Sequence, residues 1–241
     1  PSQADYFQAT KGGGHGDYHL IVLAPASVQE MADFVALGFD LAFKYRNPVM
    51  MLADGVVGQM MEKVVLPPQR PRRTDEEIAR QCPWAVTGRT GMRKPNVMTT
   101  LELDPVAMEK NNLRLQDTYR RISENEVRFE EHDTEDCDYL IVAFGSVARI
   151  CQKAMEDARA EGLKVGILRP ITLWPFPYDE VKRLSKKVKS ILVVELNAGQ
   201  MIEDVRLSLE DRVPVHHFGR MGGIVMDPSE VLGALKNIIE K

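Results

Sequence analysis

The chain has 241 residues, of which 44% are hydrophobic and 27% are charged, and its formal net charge is -4. This length allows one large or two modest domains, and the charge gives no general attraction to nucleic acid or anionic lipid. We find neither a membrane-spanning apolar run nor a signal peptide, so we expect a cytoplasmic protein with no nucleic-acid or membrane partner.

The first half begins with a glycine-rich turn that leads into a strand and a helix. An apolar run over residues 20–24 predicts a strand buried on both faces, which is typical of parallel sheets. Ser27 and Glu30 have the spacing of a capping box, so a helix is predicted to start there. An apolar stripe that can lie on the sheet follows at helical spacing; it consists of Val28, Ala32, Val35, Phe39 and Ala42.

A second buried strand is predicted over residues 49–53 and is followed by Asp54 and Gly55. Asp-Gly is a strong turn signal, and a further apolar run starts at Val56. Two interpretations stay open. The pair forms a tight turn between strands, or Asp54 and the Gly55 backbone face a ligand.

The middle of the chain is predicted to be mostly irregular. Residues 67–77 are rich in proline and charge, which predicts an exposed irregular connection. Residues 82–100 show neither the helical nor the strand period and are interpreted as a long loop between elements, of a kind that is often functional or interfacial. Asp104 and Pro105 predict a helix start, and the helix should run to about Asn125. The acidic residues 130–138 are interpreted as a solvated linker.

The last hundred residues alternate strands and helices, which predicts right-handed crossovers and a parallel sheet. Strands are predicted over residues 139–144, 165–168, 191–194 and 213–218, and helices over residues 147–161, 178–186, 200–209 and 228–240. The predicted fold class is α/β. The predicted organisation is a partial α/β domain over residues 1–101, a bridging helix and linker over 102–136, and a complete α/β domain over 137–241.

The glycine-rich loop is a candidate binding segment, although it precedes a strand and so does not match a dinucleotide fingerprint. Its candidate residues are Gly14, His15, Gly16 and Asp17. Glycines allow the backbone to approach a ligand or a partner closely, but a purely structural turn explains them equally well.

Three loops that follow strands of the second half are further candidates. Gly145 and Ser146 open a helix and could either bind an anion or cap that helix, the interpretation that we favour. A polar group follows the strand predicted over residues 191–194, at the sheet edge where parallel sheets bind ligands. It consists of Glu195, Asn197, Gly199 and Gln200. The glycine loop at residues 219–223 is interpreted as a turn or a subunit contact.

No catalytic motif is present, and no metal site is predicted. The three cysteines, Cys82, Cys137 and Cys151, are widely spaced without a C-x-x-C pair, which argues against disulfides or a zinc ribbon. An iron–sulfur cluster normally needs four thiolates, so any cluster would have to lie on a partner.

Several segments in a consistent order resemble the α subunit of 2-oxoacid:ferredoxin oxidoreductases. They are YFQATKGGGHGDYHLIVLAPASVQEM, KYRNPVMMLADGVVGQMMEKV, GLKVGILRPITLWPFP, VVELNAGQMIEDVRL and FGRMGG. The GGGHGDY segment resembles the branched-chain, 2-ketoisovalerate type more than the 2-oxoglutarate type.

The resemblance implies oxidative decarboxylation of a 2-oxoacid to an acyl-CoA with electron transfer to ferredoxin. It implies thiamine diphosphate and Mg shared with a β subunit that carries the diphosphate motif, iron–sulfur clusters on partner subunits, and CoA as co-substrate. It also implies γ and ferredoxin-like δ partners. The expected domains are the C-terminal part of a pyrimidine-binding domain, followed by a transketolase C-terminal-like domain.

The family's catalytic residues belong to sequence that precedes Pro1, so we assign none here and expect no activity from this chain alone. The chain begins with proline inside a motif-like segment, from which we expect a longer polypeptide. The cofactor-binding candidates, Gly14 to Asp17 with Asp54 and Gly55, therefore rest on loop position. Alternative functions are a 2-oxoglutarate-type α subunit, the β subunit of a thiamine-dependent 2-oxoacid dehydrogenase, and a catalytically inert docking fragment.

Overall fold

The computed structural model describes residues 1–86, 94–210 and 213–240. Contacts divide the chain into two units, one formed by Pro1–Val65 with Asp117–Lys241 and the other by Leu66–Gln116. The helices are α1 (Tyr6–Thr10), α2 (Val28–Tyr45), α3 (Asp75–Gln81), α4 (Pro105–Asn125), α5 (Gly145–Ala160), α6 (Tyr178–Ser185), α7 (Met201–Leu207) and α8 (Pro228–Ile239). The strands are β1 (Ile21–Leu23), β2 (Val49–Met51), β3 (Phe129–His132), β4 (Tyr139–Val142), β5 (Val165–Pro170), β6 (Thr172–Trp174), β7 (Ser190–Glu195) and β8 (Val215–Gly219).

The larger sheet has the order β3-β5-β4-β7-β8. Strands β5, β4, β7 and β8 are parallel, as the alternation of strands and helices predicted. Successive residues of β4 face opposite sides: Leu140 packs with residues of α1, α6 and α7, whereas Ile141 packs with residues of α5 and α8. The predicted parallel α/β fold is confirmed for this part of the chain, and the predicted elements agree with the observed ones to within a few residues.

The smaller sheet has the order β2-β1-β6. Strands β1 and β2 are parallel, whereas β6 pairs antiparallel with β1 and places Trp174 opposite Val22. The sequence did not predict β6, because its three residues are too few to show a period. This pairing ties the smaller sheet to the segment that follows β5.

Helix α2 begins at its predicted N-cap but does not bury the predicted stripe. Ser27 Oγ accepts from the backbone N of Glu30 at 3.1 Å, whereas the Glu30 carboxylate accepts from the backbone N of Ala26 and not from Ser27. Within the described residues, Val35 and Phe39 are 48% and 65% exposed and line a shallow apolar groove. Helical spacing identifies an apolar face, but it does not say which element covers that face.

Two predicted irregular segments contain secondary structure. Residues 130–138 are not simply a solvated linker, since residues 129–132 form edge strand β3, antiparallel to β5. Arg169 Nη1 donates to Glu130 Oε2 at 2.7 Å across that pairing, which explains how so acidic a segment is held in a sheet. The predicted loop over residues 67–77 ends in α3, whose capping box of Thr74 and Glu77 is visible in the sequence and was missed.

Candidate functional site

The order of the larger sheet opens a crevice between the carboxyl ends of β4 and β7. The chain passes from β4 to β5 on one side and later adds β7 on the other, so its direction across the sheet reverses there. Open parallel sheets bind ligands at such reversals, so this crevice is where a ligand site is expected.

The side chain of Gln3 fills that crevice. Its Nε2 donates to the carbonyl oxygen of Phe144, which follows β4, at 2.9 Å, and its Oε1 accepts from the backbone N of Leu196, which follows β7, at 3.1 Å. The carbonyl oxygen of Gln3 also accepts from Asn197 Nδ2 at 3.0 Å, and only 4% of Gln3 is exposed. The chain itself therefore occupies the position at which an external ligand would be expected.

Asp54 lies beside the same crevice, at the N-terminus of α5. Its Oδ2 accepts from the backbone N of Ser146 at 3.1 Å, and its Oδ1 accepts from the backbone N of Val56 and Val57 at 3.0 and 3.2 Å. A carboxylate is electrostatically favoured at a helix N-terminus. The turn between strands predicted at Asp54 is wrong, because a 3-10 turn follows at Val57–Gln59 in place of a strand.

Gly145 makes the close approach of Asp54 possible. Its φ is +58°, and a Cβ there would lie 3.0 Å from both Asp54 Oδ2 and Gln3 Nε2. The predicted helix start at Gly145 and Ser146 is confirmed, but the capping carboxylate comes from Asp54, 92 residues away from Ser146. Gly55 is exposed and has Pro1 as a neighbour.

The polar group after β7 turns inward and caps α7. The fully buried Glu195 carboxylate accepts from the backbone N of Gln200, Met201 and Ile202 at 2.8–3.2 Å. Asn197 Oδ1 accepts from the backbone N of Gly199 at 2.7 Å. These residues satisfy one another and hold the loop, so the sheet edge offers fewer open polar groups than the sequence indicated.

Asp204 on α7 joins the second half of the chain to its first residues. Tyr6 Oη donates to Asp204 Oδ2 at 2.6 Å, while Tyr178 Oη and Lys11 Nζ approach Oδ1 at 2.5 Å each. Burial and the adjacent carboxylate raise the pKa of Tyr6 and the pKa of Tyr178. No local sequence pattern indicates this cluster, because Tyr6 and Lys11 lie more than 160 residues from Tyr178 and Asp204.

The predicted glycine-rich binding loop lies on the surface. Gly14, His15, Gly16 and Asp17 are exposed, and the backbone N of Gly13 donates to Tyr18 Oη at 2.8 Å. The loop has Lys11 on one side, held by Asp204, and His19 on the other.

His19 fixes the far end of this loop against Trp174. The two rings are stacked, with centroids 4.5 Å apart and planes 6° apart, and Tyr119 meets both rings edge-on. Burial, reinforced by the charge of Lys11, lowers the pKa of His19. The stack with Trp174 holds the imidazole and, with it, the end of the loop.

Family models match the chain in two consecutive parts. Residues 1–128 match the family described as pyruvate flavodoxin/ferredoxin oxidoreductase, thiamine diphosphate-binding, and residues 137–231 match pyruvate:ferredoxin oxidoreductase core domain II.

Curated relatives match almost the whole chain. The ketoisovalerate oxidoreductase subunit VorB of Methanothermobacter thermautotrophicus is 44% identical over 99% of this chain and 66% of the relative. The 2-oxoglutarate synthase subunit KorA of Archaeoglobus fulgidus is 36% identical over 92% of this chain and 62% of the relative. The chain thus spans about two thirds of the length of these relatives.

A solved structure shares the fold. The 2-oxoglutarate:ferredoxin oxidoreductase from Magnetococcus marinus, with 2-oxoglutarate, coenzyme A and succinyl-CoA bound, aligns with a TM-score of 0.77. The alignment covers 99% of this chain and 45% of that chain at 22% sequence identity.

Proposed function

The chain belongs to the 2-oxoacid:ferredoxin oxidoreductase family, and we propose that it is an α-type subunit acting on a branched-chain 2-oxoacid, 2-ketoisovalerate. In the proposed reaction the 2-oxoacid anion, CoA and two oxidised ferredoxins give the acyl-CoA, CO₂, a proton and two reduced ferredoxins. The observation that carries the substrate is the 44% identity to a ketoisovalerate subunit, against 36% to a 2-oxoglutarate subunit.

The described residues of this chain do not fit the diphosphate of thiamine diphosphate. The N-termini of α5 and α7, which could bind an anion, already hold the carboxylates of Asp54 and Glu195, and these would repel a second anion. Within residues 1–86, 94–210 and 213–240, no group of three or more His, Cys, Asp or Glu side chains could hold a metal ion. We therefore assign the diphosphate and Mg to a partner β subunit.

The remaining cofactors and partners of the proposed enzyme are those that its family resemblance implies. We propose that iron–sulfur clusters lie on partner γ and ferredoxin-like δ subunits and that CoA is the co-substrate. Cys82, Cys137 and Cys151 are buried, and burial raises the pKa of Cys151, so these thiols are poor cluster ligands.

No helix in the described parts of the chain is long and apolar enough to span a membrane. We propose a cytoplasmic location.

The glycine-rich loop is the part of this chain that we assign to the cofactor or to the subunit interface. Its residues Gly14 to Asp17 are exposed, whereas the ends of the loop are held by Asp204 and Trp174. Gly55, which directly follows Asp54, is exposed and is a second candidate for contact with the cofactor or a partner subunit.

For the domain organisation we propose the divisions predicted from the sequence, after residues 101 and 136.

The proposed activity is tested on the assembled enzyme. The chain is purified together with its partner subunits, and ferredoxin reduction is measured with CoA and thiamine diphosphate present. We expect kcat/KM for 2-ketoisovalerate to exceed that for 2-oxoglutarate by at least about tenfold, since hydrophobic pockets discriminate to that degree. Omitting CoA, as the matched control, should abolish turnover.

Each rival function predicts a different result. A preference for 2-oxoglutarate would assign the chain to the 2-oxoglutarate type, and transfer to lipoamide without ferredoxin-linked paramagnetic signals would indicate a 2-oxoacid dehydrogenase. An assembled complex without activity would indicate that the chain has only a docking role.

A further inference from the structure

A cleft away from the sheet edge lies between the end of α4 and the start of α6. Its volume is about 570 Å³, which is within the range of ligand sites. The walls carry aromatic rings, namely Phe129, Trp174, Phe176 and Tyr178, together with Pro175 and Pro177. The end of the segment GLKVGILRPITLWPFP, Trp174 to Pro177, lines this cleft, and the proposed reaction assigns no role to the cleft.

The charges on the rim disfavour an anionic ligand, although Glu124 is paired with Arg120 at 3.0 Å and Glu180 with Arg183 at 2.6 Å. Three carboxylates line the cleft, from Glu124, Asp179 and Glu180. The one lining cation in the described residues is Arg120, whose guanidinium donates to Glu124 at 3.0 Å and to Asp117 at 2.5 Å. A phosphate or a 2-oxoacid would meet unfavourable charge there, whereas a cation would meet favourable charge.

The aromatic walls are held rigidly before any ligand arrives. Trp174 is stacked on His19, Phe176 meets Tyr178 edge-on with centroids 5.1 Å apart, and Tyr178 Oη donates to the buried Asp204. Rings that are fixed in advance lose little conformational freedom on binding, which favours affinity.

We propose that this cleft binds an arginine side chain presented by an extended segment of a partner polypeptide. A planar guanidinium stacks on aromatic faces and bonds carboxylates at the same time, which a compact ammonium group does less well. Grooves lined by aromatic rings are also surfaces on which extended segments dock. The rim carboxylates supply the charge complementarity; Glu124 and Asp179 are both exposed, and Glu124 is paired with Arg120.

Fluorescence anisotropy of labelled peptides tests the proposal on the purified chain. The probes are the blocked heptapeptides APPRPPA, APPAPPA and APPEPPA. We expect the arginine peptide to bind at least about fivefold more tightly than the alanine peptide, as one desolvated cation–π contact provides. Equal binding of the three peptides, or no binding of the arginine peptide up to about 5 mM, would overturn the proposal.

Two variants and a control test whether the arginine peptide binds in this cleft. Asp179→Asn should weaken binding of the arginine peptide about threefold, and Trp174→Phe should weaken it while leaving the circular dichroism spectrum unchanged. Glu156→Gln is the matched control, because Glu156 is an exposed acid on α5 outside the cleft. If Asp179→Asn and Glu156→Gln bind alike, or if blocked free arginine competes as well as the unlabelled heptapeptide, a polypeptide site in this cleft is refuted.

Discussion

Asp54 accepts a hydrogen bond of 3.1 Å from the backbone N of Ser146, although 92 residues separate them in the chain. The bond supplies a helix N-terminus in the second half of the chain with a carboxylate from the first. A side-chain cap within α5 itself is absent among the described contacts. The two family regions, residues 1–128 and 137–231, are therefore joined by polar contacts as well as by packing.

Gly145→Ala should destabilise the chain more than Gly162→Ala. Both glycines have positive φ, of +58° and +88°, so each alanine adds backbone strain of about 1 kcal/mol. Only at Gly145 would the new methyl group also lie 3.0 Å from Asp54 and Gln3, which should bring its total cost to about 2–4 kcal/mol. Urea unfolding measures both, and equal losses would contradict the close approach of Asp54.

Asp204→Asn should cost about 2–4 kcal/mol of unfolding free energy, because an amide replaces the buried carboxyl group that accepts from two tyrosine hydroxyls. Lys11→Met removes only the partly exposed member of the cluster, with 44% of its side chain accessible, and should cost less than about 1 kcal/mol. Thermal unfolding of the two variants compares them. A larger loss for Lys11→Met would show that the ion pair, rather than the tyrosines, stabilises the cluster.

Glu126 should make the free energy of unfolding depend on pH. Burial alone would raise the pKa of Glu126, but hydrogen bonds from Lys44, Tyr45 and Arg128 outweigh it and hold the pKa below its ordinary value of 4.5. Because the folded pKa is depressed, the stabilisation is complete above pH 4.5 and is lost as the pH falls further. The advantage of the wild type over Glu126→Gln in urea should therefore shrink below that pH; a constant difference down to pH 3 would contradict this.

His15→Ala and Asp17→Ala should weaken association with the β subunit or with thiamine diphosphate by at least about fivefold, if the exposed loop serves the interface that we propose. Folding should be unaffected, because both side chains are exposed. Asp33→Ala, at another exposed acid, is the control. Calorimetry of the assembling subunits measures the affinities, and normal assembly and cofactor affinity in both loop variants would exclude the loop from the interface.

The sequence predicted the elements whose signals are local. Continuous apolar runs identified β4, β5 and β7, and Pro105 and Asn125 bound α4 in the structure as predicted. Thr74 and Glu77 carried an equally local signal, so the missed helix α3 was predictable.

The rest depends on contacts that no local pattern contains. Glu130 lies in a strand because Arg169 pairs with it across the sheet, and Phe39 is exposed because no described element packs over that face of α2. At the sheet edge, the sequence indicated where a ligand would bind, but not that Gln3 fills the position. Each of these features depends on contacts between residues that are far apart in the sequence.

The loop between Lys11 and His19 has both ends held, one by Asp204 and the other by Trp174. A segment closed at two fixed points samples far fewer backbone conformations than a free terminus of equal length. A partner that closes on Gly14 to Asp17 therefore removes less chain entropy, and more of its contact energy is retained as affinity. Releasing either end, by Lys11→Met or His19→Ala, should lower affinity at this surface without changing a single residue in contact with the partner.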